Sequence, residues 1–219
     1  AFAQLLGGEV VEHDRVRSAG EHVVEGDLHA PAVVRIKHDL AALLDQGLGQ
    51  GDAVLCLSAN SVAQGMLMLG CFTAGVPIAQ ISPAYSLISS DHAKLKHCFA
   101  TVRPRVVFAE NAAQFARAFE TLRSLDSDLT FVTVDGADGT IPFATLTSTP
   151  ATQAVDDARE ALTHDTVGKY LFTSGSTGMP KGVPQHQGMF VNLIAAQEGL
   201  RDDPDPVDHP IALDWMPWA

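Results

Sequence analysis

Short apolar blocks alternate with amphipathic stretches along most of this chain. Val34, Leu40, Ala41, Leu43 and Leu44 recur near helical spacing until Gly47 and Gly49. Gly51-Asp52 signals a turn, and Ala53-Val54-Leu55-Cys56-Leu57 reads as a short buried strand. Ser61 and Gln64 have capping-box spacing and open an apolar helix to about Ala74. Val76-Pro77-Ile78-Ala79 is the next strand, and Ser82-Pro83-Ala84-Tyr85-Ser86 has the composition of a loop. Ser90-Asp91 starts a helix to about Thr101, and Pro104 precedes a strand over 105–108. Asn111 opens another helix ending near Leu125, and a strand over 129–134 is stopped by Asp135-Gly136. Strands separated by helices of roughly ten to fifteen residues imply βαβ units and a mostly parallel sheet flanked by helices, an α/β fold. Residues 136–165, rich in Gly, Thr, Pro and Asp, read as a long connection with little regular structure. Residues 1–34 show no sustained period.

Composition narrows the function. With 46% hydrophobic and 18% charged residues, the 219-residue chain can bury a sizeable core and is not intrinsically disordered. Twenty-six acidic against fourteen basic side chains give a net charge of -12. Such a surface repels phosphate backbones and anionic lipid, which argues against nucleic acid or a membrane surface as partner. The longest apolar stretch, Gly65 to Ala79, is broken by Thr73, Gly75 and Pro77, and falls short of the roughly 20 residues of a spanning helix. No secretory signal is visible at the start. Cys56, Cys71 and Cys98 lie inside apolar segments, as buried thiols in a reducing cytoplasm would.

One segment carries chemistry: Tyr170-Leu171-Phe172-Thr173-Ser174-Gly175-Ser176-Thr177-Gly178-Met179-Pro180-Lys181-Gly182-Val183. An apolar strand runs into six small residues, four of them hydroxylated, followed by Pro-Lys-Gly. Small side chains let a ligand approach the backbone, and successive N–H groups can form an anion-binding concavity. Thr173, Ser174, Ser176 and Thr177 add hydroxyl donors, and Lys181 adds a charge. These are the parts needed to hold a polyphosphate. The loop is not a Walker A motif, because Pro180 and Gly182 flank Lys181. Nor is it a nucleophile elbow, because neither Ser174 nor Ser176 has Gly at both −2 and +2. A plain Gly/Ser-rich turn with a solvated Lys181 is the competing reading, but generic loops seldom combine this hydroxyl density with a placed Pro-Lys-Gly.

The segment resembles the phosphate-binding signature of the adenylate-forming superfamily, which contains acyl- and aryl-CoA ligases, peptide-synthetase adenylation domains and luciferases. The match runs throughout, apart from Leu171-Phe172 inserted between Tyr170 and Thr173. Gly51-Asp52-Ala53-Val54, Leu57-Ser58-Ala59-Asn60-Ser61 and Ala74-Gly75-Val76-Pro77-Ile78-Ala79 resemble earlier segments of these ligases. Ile81-Ser82-Pro83-Ala84-Tyr85-Ser86-Leu87 and Asp214-Trp215-Met216-Pro217-Trp218 are similar to the feruloyl-CoA synthetase branch. Two departures stand out: His186-Gln187 occupies the place of a Thr-His pair, and Ala219 follows Trp218 where an Asn is usual.

The resemblance implies an acid–CoA ligase using ATP, Mg2+ and CoA, in which Thr173, Ser174, Gly175, Ser176, Thr177, Gly178 and Lys181 hold the β- and γ-phosphates. It further implies that residues 35–219 are part of a large N-terminal domain, truncated before the adenine and ribose contacts, the magnesium-binding Glu and the catalytic Lys. No catalytic residue is therefore expected within the chain, and the 219 residues alone are expected to be inactive, with little ATP affinity and poor solubility. Two alternatives to an aromatic-acid–CoA ligase stay open: an adenylation domain that loads a carrier thiol, and an inactive phosphate-binding fragment.

Other candidates point elsewhere. His92 and His97, five apart on a predicted helix, are poorly aligned for a zinc pair. Asp202, Asp203, Asp205 and Asp208 lack the spacing of a calcium loop. Trp215 and Trp218 could line an acid pocket or a core equally well. Met66 and Met68 read as core filler, and Lys169 as a solvated lysine.

Overall fold

The computed structural model describes residues 47–148, 150, 152–174 and 178–199, with no side-chain description beyond residue 196. Among these, seven strands form one sheet in the order β5-β4-β3-β1-β2-β6-β7. They are β1 (Val54–Cys56), β2 (Ile78–Gln80), β3 (Val106–Ala109), β4 (Thr130–Thr133), β5 (Ile141–Pro142), β6 (Val167–Thr173) and β7 (Lys181–His186). Every pairing is parallel except that of β6 with β7. The helices are α1 (Val62–Ala74), α2 (Ala84–Leu87), α3 (Ala93–Val102), α4 (Ala116–Leu125), α5 (Phe143–Ser148), α6 (Gln153–Glu160) and α7 (Gln187–Gly199). The expected mostly parallel α/β architecture is what the chain adopts.

Strand periodicity splits the core into two layers. Side chains alternate across a sheet, so Val54, Cys56, Ile78, Val106 and Phe108 go to one face and Leu55, Ala79, Val107 and Ala109 to the other. On the first face they meet Met66, Leu67 and Cys71 of α1, Phe143 and Leu146 of α5, and Val155 of α6. On the second they meet Leu95 and Cys98 of α3 and Phe119 and Leu122 of α4. Both faces of the central strands are dry, which is why those strands read as unbroken apolar runs. The three cysteines are buried thiols outside any disulfide, and Met66 and Met68 are core residues, as their surroundings in the sequence suggest.

Helix starts follow local hydrogen bonding. Ser61 Oγ accepts from the Gln64 N–H at 3.1 Å and caps α1, while the Gln64 side chain is buried, so the cap forms without the reciprocal half of a capping box. Gly75 closes α1 in the left-handed conformation. Two helices begin later than the sequence predicts. Asp91 Oδ1 accepts from the Ala93 N–H and Ser89 Oγ from the His92 N–H, which delays α3 to Ala93. Asn111 Oδ1 accepts from the Gln114 N–H in a turn, and α4 starts only at Ala116.

Two loop assignments are corrected. The segment read as a loop over 82–86 runs into the single turn of α2, which begins at Ala84. Residues 136–165 are not irregular: they hold β5, α5 and α6, anchored by buried Phe143, Leu146 and Val155. The helical period expected around Val34 to Leu44, the acidic cluster from Asp202 to Asp208, and Trp215 and Trp218 lie outside the described residues. Among the described residues no helix is long and apolar enough to cross a membrane.

Candidate functional site

The hydroxyl-rich segment joins β6 to β7 as a hairpin closed by the pair Thr173 and Lys181, leaving residues 174–180 as the connection. Lys181 opens a strand and not a helix, which separates this loop from the helix-capping phosphate loops. The hairpin leaves the sheet at the C-terminal end of β6, where the parallel strands β1 and β2 also end. In open α/β sheets that end is where ligands bind, because loops and N–H groups are presented there without side-chain cover.

Thr173, Ser174, Gly178 and Lys181 are exposed. Gly178 takes φ +82 with open space where a Cβ would stand, so the turn there leaves the backbone accessible. Gly175, Ser176 and Thr177 lie outside the described residues. Directly paired residues share a sheet face, so Thr173 and Lys181 project to one side while Phe172 and Gly182 face the other. Phe172 packs against the α3–α4 layer, which places the Thr173 and Lys181 side chains on the opposite side. At the exit of the loop Pro180 is buried. Its carbonyl accepts a hydrogen bond from His97 Nε2 at 2.8 Å, a contact across 83 positions of sequence that no local pattern announces.

His186 and Gln187, which depart from the family's usual pair, are both used to dock the end of the hairpin. His186 Nδ1 lies 2.7 Å from the Asp165 carbonyl and donates to it. Gln187 Nε2 donates to the Phe72 carbonyl at 2.8 Å, and Phe190 stacks on Phe72 with centroids 5.0 Å apart. These contacts seat α7 against α1, while Met189, Val191, Leu193 and Ile194 remain exposed.

The remaining candidates are structural. His92 is buried, with Nδ1 2.7 Å from Thr121 Oγ1 and Nε2 3.1 Å from the Ser86 carbonyl. Lys169 is not the solvated lysine expected. It is half-buried on β6 between β2 and β7, and burial pushes its ammonium pKa down. Burial pushes the Cys56 and Cys98 thiols up to about 12, so neither offers a thiolate near neutral pH. Among the described residues no group of three His, Cys, Asp or Glu side chains could hold a metal ion.

Residues 36–218 match the family described as AMP-binding enzyme. The olefin beta-lactone synthetase of Xanthomonas campestris pv. campestris is 32% identical over 173 residues, covering 78% of this chain and 30% of that protein. The probable CoA ligase CCL9 of Humulus lupulus is 27% identical over 181 residues, covering 79% and 31%. The chain thus spans under a third of the length of either relative. In three dimensions the luciferase-like enzyme of the mealworm Zophobas morio superposes with a TM-score of 0.59 over 78% of this chain at 18% identity, covering 38% of that structure, a likeness of fold. With the hairpin loop and the sheet in place and the match covering most of the sequence, the chain belongs to the AMP-binding enzyme family of adenylate-forming proteins.

Proposed function

We propose that this chain supplies the triphosphate-holding part of an ATP-dependent carboxylic acid–CoA ligase. The observation that carries the reading is the hairpin itself, which offers the exposed Thr173, Ser174 and Gly178 and one exposed cation, Lys181, on the same sheet face as Thr173. In the first half-reaction a carboxylate oxygen attacks the α-phosphorus of ATP, and the bond to the bridging oxygen of pyrophosphate breaks. In the second, the CoA sulfur attacks the acyl carbon and AMP leaves. Lys181 and the hydroxyls of Thr173, Ser174, Ser176 and Thr177, with the backbone at Gly175 and Gly178, hold the β- and γ-phosphates and stabilise the charge that gathers on the departing pyrophosphate. Positioning and electrostatic stabilisation are the main protein contributions to transfer at phosphorus.

Magnesium would enter as a companion of the nucleotide's phosphates. The acid we propose is aromatic, such as ferulate. That choice rests on the likeness of Ile81 to Leu87 and Asp214 to Trp218 to feruloyl-CoA synthetases. CoA as acceptor is favoured by the CoA ligase among the relatives.

The test is to incubate the complete protein with ATP, magnesium, CoA and a panel of aromatic and fatty acids, and to identify products by mass. AMP, pyrophosphate and an aromatic acyl-CoA are expected. ADP with orthophosphate would overturn the proposal.

A further inference from the structure

The residues on both sides of Lys181 are fixed to one turn of α3. Before it, the buried Pro180 gives its carbonyl to His97 Nε2 at 2.8 Å. After it, a Cβ added to Gly182 would lie 3.1 Å from Thr101 Cγ2 and 3.2 Å from Phe172 Cε1, so the strand sits flush against that helix. Thr101 Oγ1 in turn donates to the His97 carbonyl at 2.8 Å, tying the two anchor points to each other. A peptide group is planar, so holding the Pro180 carbonyl oxygen also fixes the direction of the Lys181 N–H. Strand alternation then sends the Lys181 side chain away from α3, toward the side it shares with Thr173.

We propose that His97 is a positioning residue for the phosphates of ATP, aiming Lys181 by holding the Pro180 carbonyl. The inference rests on the reading of residues 174–181 as the phosphate-holding loop. Because a carbonyl only accepts, His97 must donate from Nε2, and both the Nε2–H tautomer and the imidazolium can do so. The contact therefore survives protonation. The part needed is a donor at that place, which Gln can supply and Phe cannot.

The experiment measures dissociation constants of ATP and of AMP by equilibrium dialysis, using the complete protein and its His97→Phe, His97→Gln and Lys181→Ala variants. AMP lacks the β- and γ-phosphates and serves as the internal control. For His97→Phe, ATP should bind about tenfold more weakly, on the order of one lost hydrogen bond. AMP binding should not change. For His97→Gln, ATP binding should stay within about threefold of wild type, since a neutral donor is retained. Equal weakening of ATP and AMP would show a general structural role and overturn the proposal, as would a Gln variant as impaired as Phe. Wild-type ATP binding by His97→Phe beside weakened binding by Lys181→Ala would overturn it and leave the loop reading intact. Wild-type ATP binding by Lys181→Ala would overturn the loop reading itself.

Discussion

Replacing Lys181 by Ala should lower acid-dependent adenylate formation by about 10²–10³, the loss typical when one donor aimed at developing charge is removed. The effect should be kinetic. Lys181 is exposed, and a surface substitution of this kind changes stability by no more than about 0.5 kcal/mol. The lost factor arises because charge accumulates on pyrophosphate as its bond to the α-phosphorus breaks, so a cation that already holds the phosphates of bound ATP holds them more strongly in the transition state. Single-turnover adenylate formation, run beside a thermal melt, separates the two quantities. An unchanged rate would remove Lys181 from the site, and a collapsed melting curve would mean that the strand end, not the charge, had been disturbed.

Phe108→Ala should produce the largest loss of stability among simple core truncations. Its side chain is 0% exposed at the centre of the sheet and meets Phe143 edge-on with centroids 5.7 Å apart. Truncating a buried Phe costs about 3–5 kcal/mol, from lost transfer energy and the cavity left behind. That is a large share of the roughly 5–15 kcal/mol that holds a typical domain together. Ile88, 81% exposed, is the control, and Ile88→Ala should cost no more than about 0.5 kcal/mol. Denaturant titration of both variants checks the contrast. Equal midpoints would contradict the placement of Phe108 beneath α5.

The central strands were legible because both their faces are buried, which leaves runs such as Val54 to Cys56 and Val106 to Ala109 uniformly apolar. The region from Gly136 to Asp165 was not. A strand of 2 residues and helices of 6 and 8 are too short for periodicity to accumulate, and the two helices are held by Phe143 and Leu146 and by Val155. Helix starts were displaced for a related reason. Asn111 and Asp91 satisfy backbone N–H groups in the preceding turn, so a capping residue appears in the sequence before the helix it seems to announce. Lys169 departs from a local reading because it lies on a strand flanked by β2 and β7, and its register partners, Ile78 and Gln185, are distant in sequence.

The candidate site divides in the same way. Its chemistry is written in one continuous stretch, Thr173 to Lys181, where residue type alone names hydroxyls, small turns and a cation. Its geometry depends on His97 and Thr101, far back in the chain, and on the burial of Pro180, which nothing in the loop's own composition suggests. A polar side chain holding a backbone carbonyl has no spacing rule, so the sequence alone could not pair them.

The central claim is that this loop serves attack of a carboxylate on the α-phosphorus of ATP. The most direct test follows oxygen. The complete protein is supplied with ATP, magnesium, CoA and an acid, active in the panel above, whose carboxylate carries ¹⁸O, and the phosphorus-containing products are weighed by mass spectrometry. Transfer through an acyl-adenylate leaves one labelled oxygen in AMP, because the carboxylate oxygen stays on phosphorus when the thiol takes the acyl group. Label appearing in orthophosphate beside ADP, or AMP formed without label, would contradict the account.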